Sequence, residues 1–424
     1  MLDNLKEFLQ YSYTAYHAVE NVKAILADNG FLPLKEGEDW EIEEGGKYYL
    51  ERGGCALIAF CVGNLDQLFF KIAAAHVDSP ALKIKENPVM KAENCEKLNV
   101  ETYGGGLWYS FLDRPLKIAG RIVAEENGVL KCENVASDYL LTIPSVAIHQ
   151  NRSANEGLAL NPQVDLLPLL AANGCGEKWL SSITDKTVLS HDLFLVNADM
   201  PYSFGVNDEY IASPRIDDLT CVYAIVEALC AHAATSGGIC IGAFFDNEEI
   251  GSHTSQGAAG DFLENALRRI TYALKLDENE LYKALAGSIL VSADNAHASH
   301  PNHPEKADPT NRVQLGSGVV IKHHAGKAYT TDSLSAAIFK TICTRAGVKT
   351  QTFFNRSDVR SGSTLGVLSQ SRISMLAVDI GLPQLAMHSA NESFAAADYE
   401  ELLTALTAFF SSTVTVNDGE IEIE

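Results

Sequence analysis

Apolar and polar positions follow two different periods along this chain. Over residues 1–30, Leu5, Leu9, Ala18, Val22 and Ile25 recur at helical spacing, which predicts one or two amphipathic helices. Short strands follow at Lys47 to Leu50, Ala56 to Val62 and Leu68 to Ala75. The last, LFFKIAAA, is apolar throughout and stops at His76. From about residue 210 long apolar strands and amphipathic helices alternate. DDLTCVYAIVEALCAHAA reads as a helix with Val222, Ile225, Val226 and Leu229 on one face. GGICIGAFFD is a strand, GDFLENALRRI a helix, GSILVSAD a strand and SLSAAIFKTICTRAG a helix. KTQTFF and ISMLAVDIGLP are further strands, and DYEELLTALTAFFSSTV is the closing helix. Apolar strands alternating with one-faced helices predict a sheet covered on both sides.

Residues 89–209 have another texture. Short alternating segments such as LKIAGRIVAE and GVLKCENV are separated by Gly and Asn turns, which predicts β-hairpins. The expectation is an α/β fold formed by residues 1–88 and 210–424, interrupted by a β-rich insertion over 89–209. Gly104, Gly105 and Gly106 lie in YGGGLWYS without the Lys-Ser/Thr that closes a phosphate loop. A close backbone approach or a flexible turn is the better reading of these glycines.

Composition narrows the function. Hydrophobic residues make up 46% and charged residues 21% of 424, enough for a large buried core and against disorder. Lys and Arg number 32 against 55 Asp and Glu, a net −23 that repels phosphate backbones and anionic membranes. Nine scattered cysteines with no C-x-x-C pair read as reduced thiols, and the first residues lack a signal-peptide pattern. No apolar run approaches the ~20 residues of a membrane span. A cytoplasmic enzyme without membrane or nucleic-acid partners is expected.

The chemistry gathers where the apolar strands stop. LFFKIAAA ends in His76-Val77-Asp78, and GICIGAFF in Asp246-Asn247-Glu248-Glu249. GSILVS leads to Asp294, and His388 follows ISMLAVDIGLP. The carboxyl ends of such strands form the ligand crevice of open α/β sheets. Each residue alone has an ordinary reading: a core histidine at His76, a turn cap at Asp78, solvated carboxylates at Glu248 and Glu249, an N-cap at Asp294, a surface His388. The coincidence at every strand end is what argues for metal. Asp217 adds a fifth candidate; its neighbour Asp218 is placed to cap the helix starting near Leu219, leaving Asp217 free to bridge. Two divalent ions ~3.5–4 Å apart polarise a carbonyl and lower the pKa of a shared water. Imidazole and carboxylate donors suit zinc, with cobalt or manganese as alternatives. The adjacent Glu248 and Glu249 supply a general base and a ligand. Asp78, two residues from His76, is spaced to orient its imidazole.

Seven segments in order carry a family resemblance: AAHVDSP (74–80), GGGLWYSFLDRPLKIAGRI (104–122), PSVAIHQNRSANEG (144–157), SPRIDDL (213–219), DNEEIGSHTSQGA (246–258), SADNAHASHPNHPEK (292–306) and LPQLAMHSANE (382–392). With them the chain resembles the aspartyl aminopeptidase family of zinc metallopeptidases. The resemblance implies a sheet-and-helix metallopeptidase domain with an inserted dimerisation domain. It implies Asp217 as bridging ligand, His76 and Asp294 completing one metal site, Glu249 and His388 the other. Glu248 would be the general base and Asp78 the residue that orients His76. His149 would reach a neighbouring subunit's active site, as a substrate contact or a metal ligand. His297 and His300 would touch substrate. The resemblance further implies a tetrahedral homo-dodecamer acting on peptides that begin with Asp or Glu, whose side chain would need a cation: Lys322, Arg356 or Arg360. RSDVRSGST, at 356–364, departs from the family's usual text, so the pocket's preference is open at this point. A metal-dependent deacylase on the same scaffold, or a silent shell protein, are the alternatives.

Overall fold

The computed structural model describes residues 1–66, 68–231, 237–417 and 420–423. Its centre is a nine-stranded sheet. Four neighbours form its middle: Ile239–Phe245, Phe70–His76, Ile289–Ala293 and Leu376–Gly381, all parallel. These runs are buried almost throughout, as expected of a sheet covered on both faces. Ala56–Val62 and Lys47–Arg52 extend it antiparallel on one side, and Val319–Lys322 with Thr350–Phe353 on the other.

Alternate side chains feed two cores. Ala73, Ala75, Phe244, Val291 and Val378 face the helices Leu2–Tyr11, Ala15–Asp28, Ile216–Ala231, Ser333–Arg345 and Ala396–Ser411. Phe70, Ile72, Ala74, Ile241 and Leu290 face Phe262–Ala273, Glu278–Ala286 and Leu365–Arg372. The helix expected over 217–234 is present through Ala231; its last expected turn, 232–234, lies outside the described residues. Asp217 and Asp218 have non-helical backbone within it.

A six-stranded antiparallel sheet stands apart, built from Ala81–Ala92, Cys95–Tyr103, Leu116–Glu126, Val129–Ala136, Leu169–Ala172 and Val188–Asn197. It has its own apolar core around Leu98, Ile118, Leu141, Trp179 and Leu195. Its first strand opens at Ala81, ahead of the boundary expected at 89. The register of that strand shifts between Ile84 and Val89, around Pro88, so the alternation is broken where the boundary was drawn. At the other end, Tyr202–Phe204 joins a separate five-stranded sheet with Tyr210–Ser213 and Glu392–Ala395.

Candidate metal centre

The parallel strands bring their carboxyl ends level: Phe245 pairs with His76, and Ala293 with Ile380. The next residues of each run therefore meet at one rim. His76, Asp217 and Asp294 place ligand atoms within 4.8 Å of one another, and so do Asp217, Glu249 and His388. Asp217 belongs to both groups. His76 Nε2 lies 3.5 Å from Asp217 Oδ1, and His388 Nε2 lies 3.3 Å from Asp217 Oδ2 and 3.4 Å from Glu249 Oε1. Asp217 is 3% exposed, so both oxygens face the interior of the rim.

Asp78 holds the rim together from behind. Its Oδ1 accepts the Glu248 N–H (3.1 Å), and its Oδ2 accepts the Glu249 N–H (3.2 Å) and the Tyr103 hydroxyl (2.7 Å). Asn247 in turn donates to the Tyr103 oxygen (3.0 Å). His76 Nδ1–H donates to the Asp78 carbonyl (3.0 Å), which leaves Nε2 facing Asp217 as the free nitrogen. Asp218, expected to cap the helix, instead accepts the backbone N–H of His76 (3.3 Å). Glu248 coordinates neither group; burial, with Asp294, Asp78 and Asp217 nearby, pushes its carboxyl up to about 7. Burial likewise pushes Glu249 well above the usual carboxylate range, with the Asp217 carboxylate beside it acting in the same direction.

Three positioning features escape a strand-end reading. Glu392 is buried on its short strand and accepts the N–H of His388 (2.6 Å) and of Asp217 (3.0 Å), tying His388 of one chain segment to Asp217 of another. It stands inside LPQLAMHSANE but ends no apolar run. Tyr103 comes from the six-stranded sheet, beside the glycines. The glycines themselves make the close approach: a Cβ on Gly104, at φ +75°, would sit 3.0 Å from Glu249 Cβ. Gly105 offers its carbonyl to His388 Nδ1–H (3.1 Å), which points Nε2 at Asp217 and Glu249.

In front of the rim lies a cavity of about 550 Å³, lined by His76, Glu248, Asp294, His297, His300, Arg356 and Arg360 among others. His297 and His300 stand on its wall and belong to neither ligand group; His297 is close enough to Asp217 and His388 to feel their charge. Lys322 also lines it, but its Nζ is committed, 3.4 Å from Asp294 Oδ2 and 2.9 Å from the Asn295 carbonyl. Burial acts to lower this lysine and Asp294 outweighs it, so the ammonium is a buried counter-ion rather than a free cation for substrate. Arg356 is held by Asp358 and the Glu305 carbonyl. Arg360 has no ion pair among the described residues. His149 is exposed in the loop spanning 144–157 and lines neither large cavity of this chain.

The residues fit a divalent cation. Asp217 Oδ1 and Glu249 Oε1 are buried with no hydrogen-bond partner among the described residues. A buried carboxylate oxygen is costly unless it is paired or bound to metal. Imidazole nitrogens beside carboxylate oxygens are the donors zinc favours.

Comparison with known proteins settles the family. Residues 8–410 match the family model of the aminopeptidase I zinc metalloproteases, M18. The chain belongs to the M18 family. It is accordingly a metal-dependent aminopeptidase, a hydrolase of the M18 zinc metalloprotease family. A probable M18 family aminopeptidase 2 of Clostridium novyi is 43% identical over 410 residues, covering 92% of this chain and 94% of the relative. The structure is similar to that of Ape4 in its complex with Nbr1, at TM-score 0.92 and 32% identity, over 96% of this chain and 85% of that one. It is also similar to the S. cerevisiae mApe1 dodecamer, at TM-score 0.84 and 25% identity, over 96% of this chain and 95% of that one. Among the described residues no helix is long and apolar enough to cross a membrane.

Proposed function

We propose that this M18 enzyme is a two-metal aminopeptidase that removes acidic residues from peptide N-termini. The observation that carries the reading is Asp217, shared by two three-residue ligand groups with the half-buried Glu248 beside them. His76 and Asp294 would complete one site, Glu249 and His388 the other. Zinc held there would polarise the scissile carbonyl and lower the pKa of a bound water. Glu248 takes the proton of the attacking water and returns it to the leaving amine. Asp78 fixes the His76 tautomer and the backbone of Glu248 and Glu249, so base and ligands keep one geometry. Glu392 does the same for Asp217 and His388. With Lys322 paired to Asp294, the cation that meets an acidic first residue is Arg360, assisted by Arg356.

The insertion, 89–209, is proposed to pair subunits into a tetrahedral dodecamer like the twelve-chain assembly named for mApe1. Val146 and Ile148 precede His149 and are 58% and 48% exposed, an apolar loop suited to entering a neighbour. His149 would then contact the neighbour's substrate or metal in the cytoplasmic enzyme. The test is release of the first residue from a peptide panel by metal-stripped protein, before and after zinc, cobalt or manganese is returned. Metal-restored cleavage favouring Asp and Glu is expected, and weakening of that preference in Arg360→Ala. A preference for neutral or basic residues would remove the acidic pocket but keep the mechanism. Metal-loaded, folded protein that cleaves no peptide would point to a deacylase or a silent shell instead.

A further inference from the structure

Asp379 is a carboxylate in the middle of a buried central strand, Leu376–Gly381, and is 0% exposed. Such a group is costly in a sheet core unless donors surround it. Among the described residues no salt bridge reaches it, and three donors meet its oxygens. Oδ1 accepts the Thr364 hydroxyl (2.5 Å). Oδ2 accepts both the N–H (2.6 Å) and the hydroxyl (2.5 Å) of Thr330. The Asp379 N–H in turn donates to the Thr331 hydroxyl oxygen (2.9 Å). All three threonines are buried.

Thr364 is the N-cap residue of helix Leu365–Arg372, where a threonine ordinarily accepts an N–H of the first turn. Its side chain makes no such bond and turns to Asp379 instead. The contact therefore serves the strand rather than the helix end. Gly366 allows the approach, because a Cβ there would lie 2.6 Å from Ser292 Cβ and 3.0 Å from Asp379 Oδ1.

Each of these threonines closes one wall of the cavity in front of the metal rim. Tyr329 stands just before Thr330, and Asn355, Arg356 and Arg360 lie in the segment that ends at Thr364; all four line the cavity. The two segments follow different strands, Val319–Lys322 and Thr350–Phe353. They also hold each other: the Thr364 N–H donates to the Ala328 carbonyl (3.4 Å), and the Ser361 hydroxyl to the Tyr329 oxygen (3.5 Å). Asp379 pairs in register with Ser292, on the strand that leads to Asp294. Both walls thus meet the metal-bearing sheet at one carboxylate. Asp379 does not itself line the cavity, so it acts through the threonines.

We propose that Asp379 is a positioning residue for substrate selection: through Thr330 and Thr364 it sets both cavity walls at a fixed place relative to Asp294, and so sets how a long first side chain is held. The inference rests on the aminopeptidase reading of that cavity, and on no particular preference for the first residue.

The test is steady-state cleavage, by zinc-loaded protein, of peptides beginning with Glu, Leu, Arg or Ala. Of the three long residues, the one that the parent cleaves fastest is compared with Ala as a ratio of kcat/KM. Thr330→Val and Thr364→Val each delete one hydroxyl at nearly constant shape. Each should lower that ratio at least about tenfold, the size of effect that altered pocket contacts produce. Thr330→Ser and Thr364→Ser keep the hydroxyl and should hold the ratio within about threefold of the parent. A merely structural role would lower cleavage of all peptides together and leave the ratio where it was. An unchanged ratio in either valine variant, or a loss as large in its serine counterpart, would overturn the proposal. Zinc-loaded parent that cleaves none of the four peptides would instead overturn the aminopeptidase reading beneath it.

Discussion

The two large sheets do different work at one site. The central sheet is buried on both faces and its parallel strands end level, so it delivers His76, Glu249 and Asp294 to a common rim. The six-stranded sheet contributes none of the five residues in the two ligand groups. It sends a hydroxyl, Tyr103, to Asp78 and a carbonyl, Gly105, to His388. Donor atoms thus come from the rigid, doubly covered layer and its loops, and orientation comes from the inserted layer. Metal ligands generally need such outer partners to fix tautomer and aim.

Breaking the central layer's chemistry should have the largest effect. Glu248→Gln is expected to lower kcat by about 10²–10⁴ with bound metal unchanged. Steady-state kinetics beside metal analysis checks this, and a variant that turns over like the parent would remove Glu248 as the base. Breaking the inserted layer's contribution comes next. Tyr103→Phe deletes one hydrogen bond to Asp78 and should cost about 10–100-fold in activity or metal affinity. Competition with a chelating dye reads the affinity; if neither quantity moves, the inserted layer does not position the rim. Gly104→Ala then forces a side chain into left-handed backbone 3.0 Å from Glu249. A stability loss of about 1–2 kcal/mol for the backbone alone is expected, visible as a lower Tm, with weaker metal retention. An unchanged Tm would mean the loop relaxes away from Glu249.

The smallest effect lies at the seam. His17, on the helix that packs against the inserted sheet, is held down to about 4 by burial, against an ordinary 6.5. The unfolded chain therefore takes up this proton first. His17 imposes no penalty above pH 6.5, and stability falls as pH drops from 6.5 towards 4. At pH 6 the loss is under about 1 kcal/mol. Urea titrations of the parent and His17→Gln should converge above pH 7 and separate on acidification; parallel curves would contradict the shift.

The same division explains what the sequence disclosed. A buried parallel strand is a continuous apolar run, so its end is conspicuous, and His76, Glu248, Glu249 and Asp294 stand where such runs stop. Asp217 is legible as the second residue of a helix entrance. Glu392 and Tyr103 are not, because each acts through strand pairing between distant segments: Glu392–Ala395 beside Tyr210–Ser213, and Cys95–Tyr103 beside Ala81–Ala92. Lys322 is legible as a cation but its partners are not: it ends a fully buried strand, and its contacts with Asp294 and the Asn295 carbonyl join segments far apart in sequence. The start of the inserted sheet was hidden by the bulge before Val89.

The proposed mechanism has Asp217 serve two cations at once. Metal analysis of zinc-reconstituted protein, per chain, tests it directly in the parent, His388→Ala and Asp217→Ala. Two ions are expected in the parent, one after loss of His388 and near none after loss of Asp217. One ion in the parent, or two retained by Asp217→Ala, would contradict it.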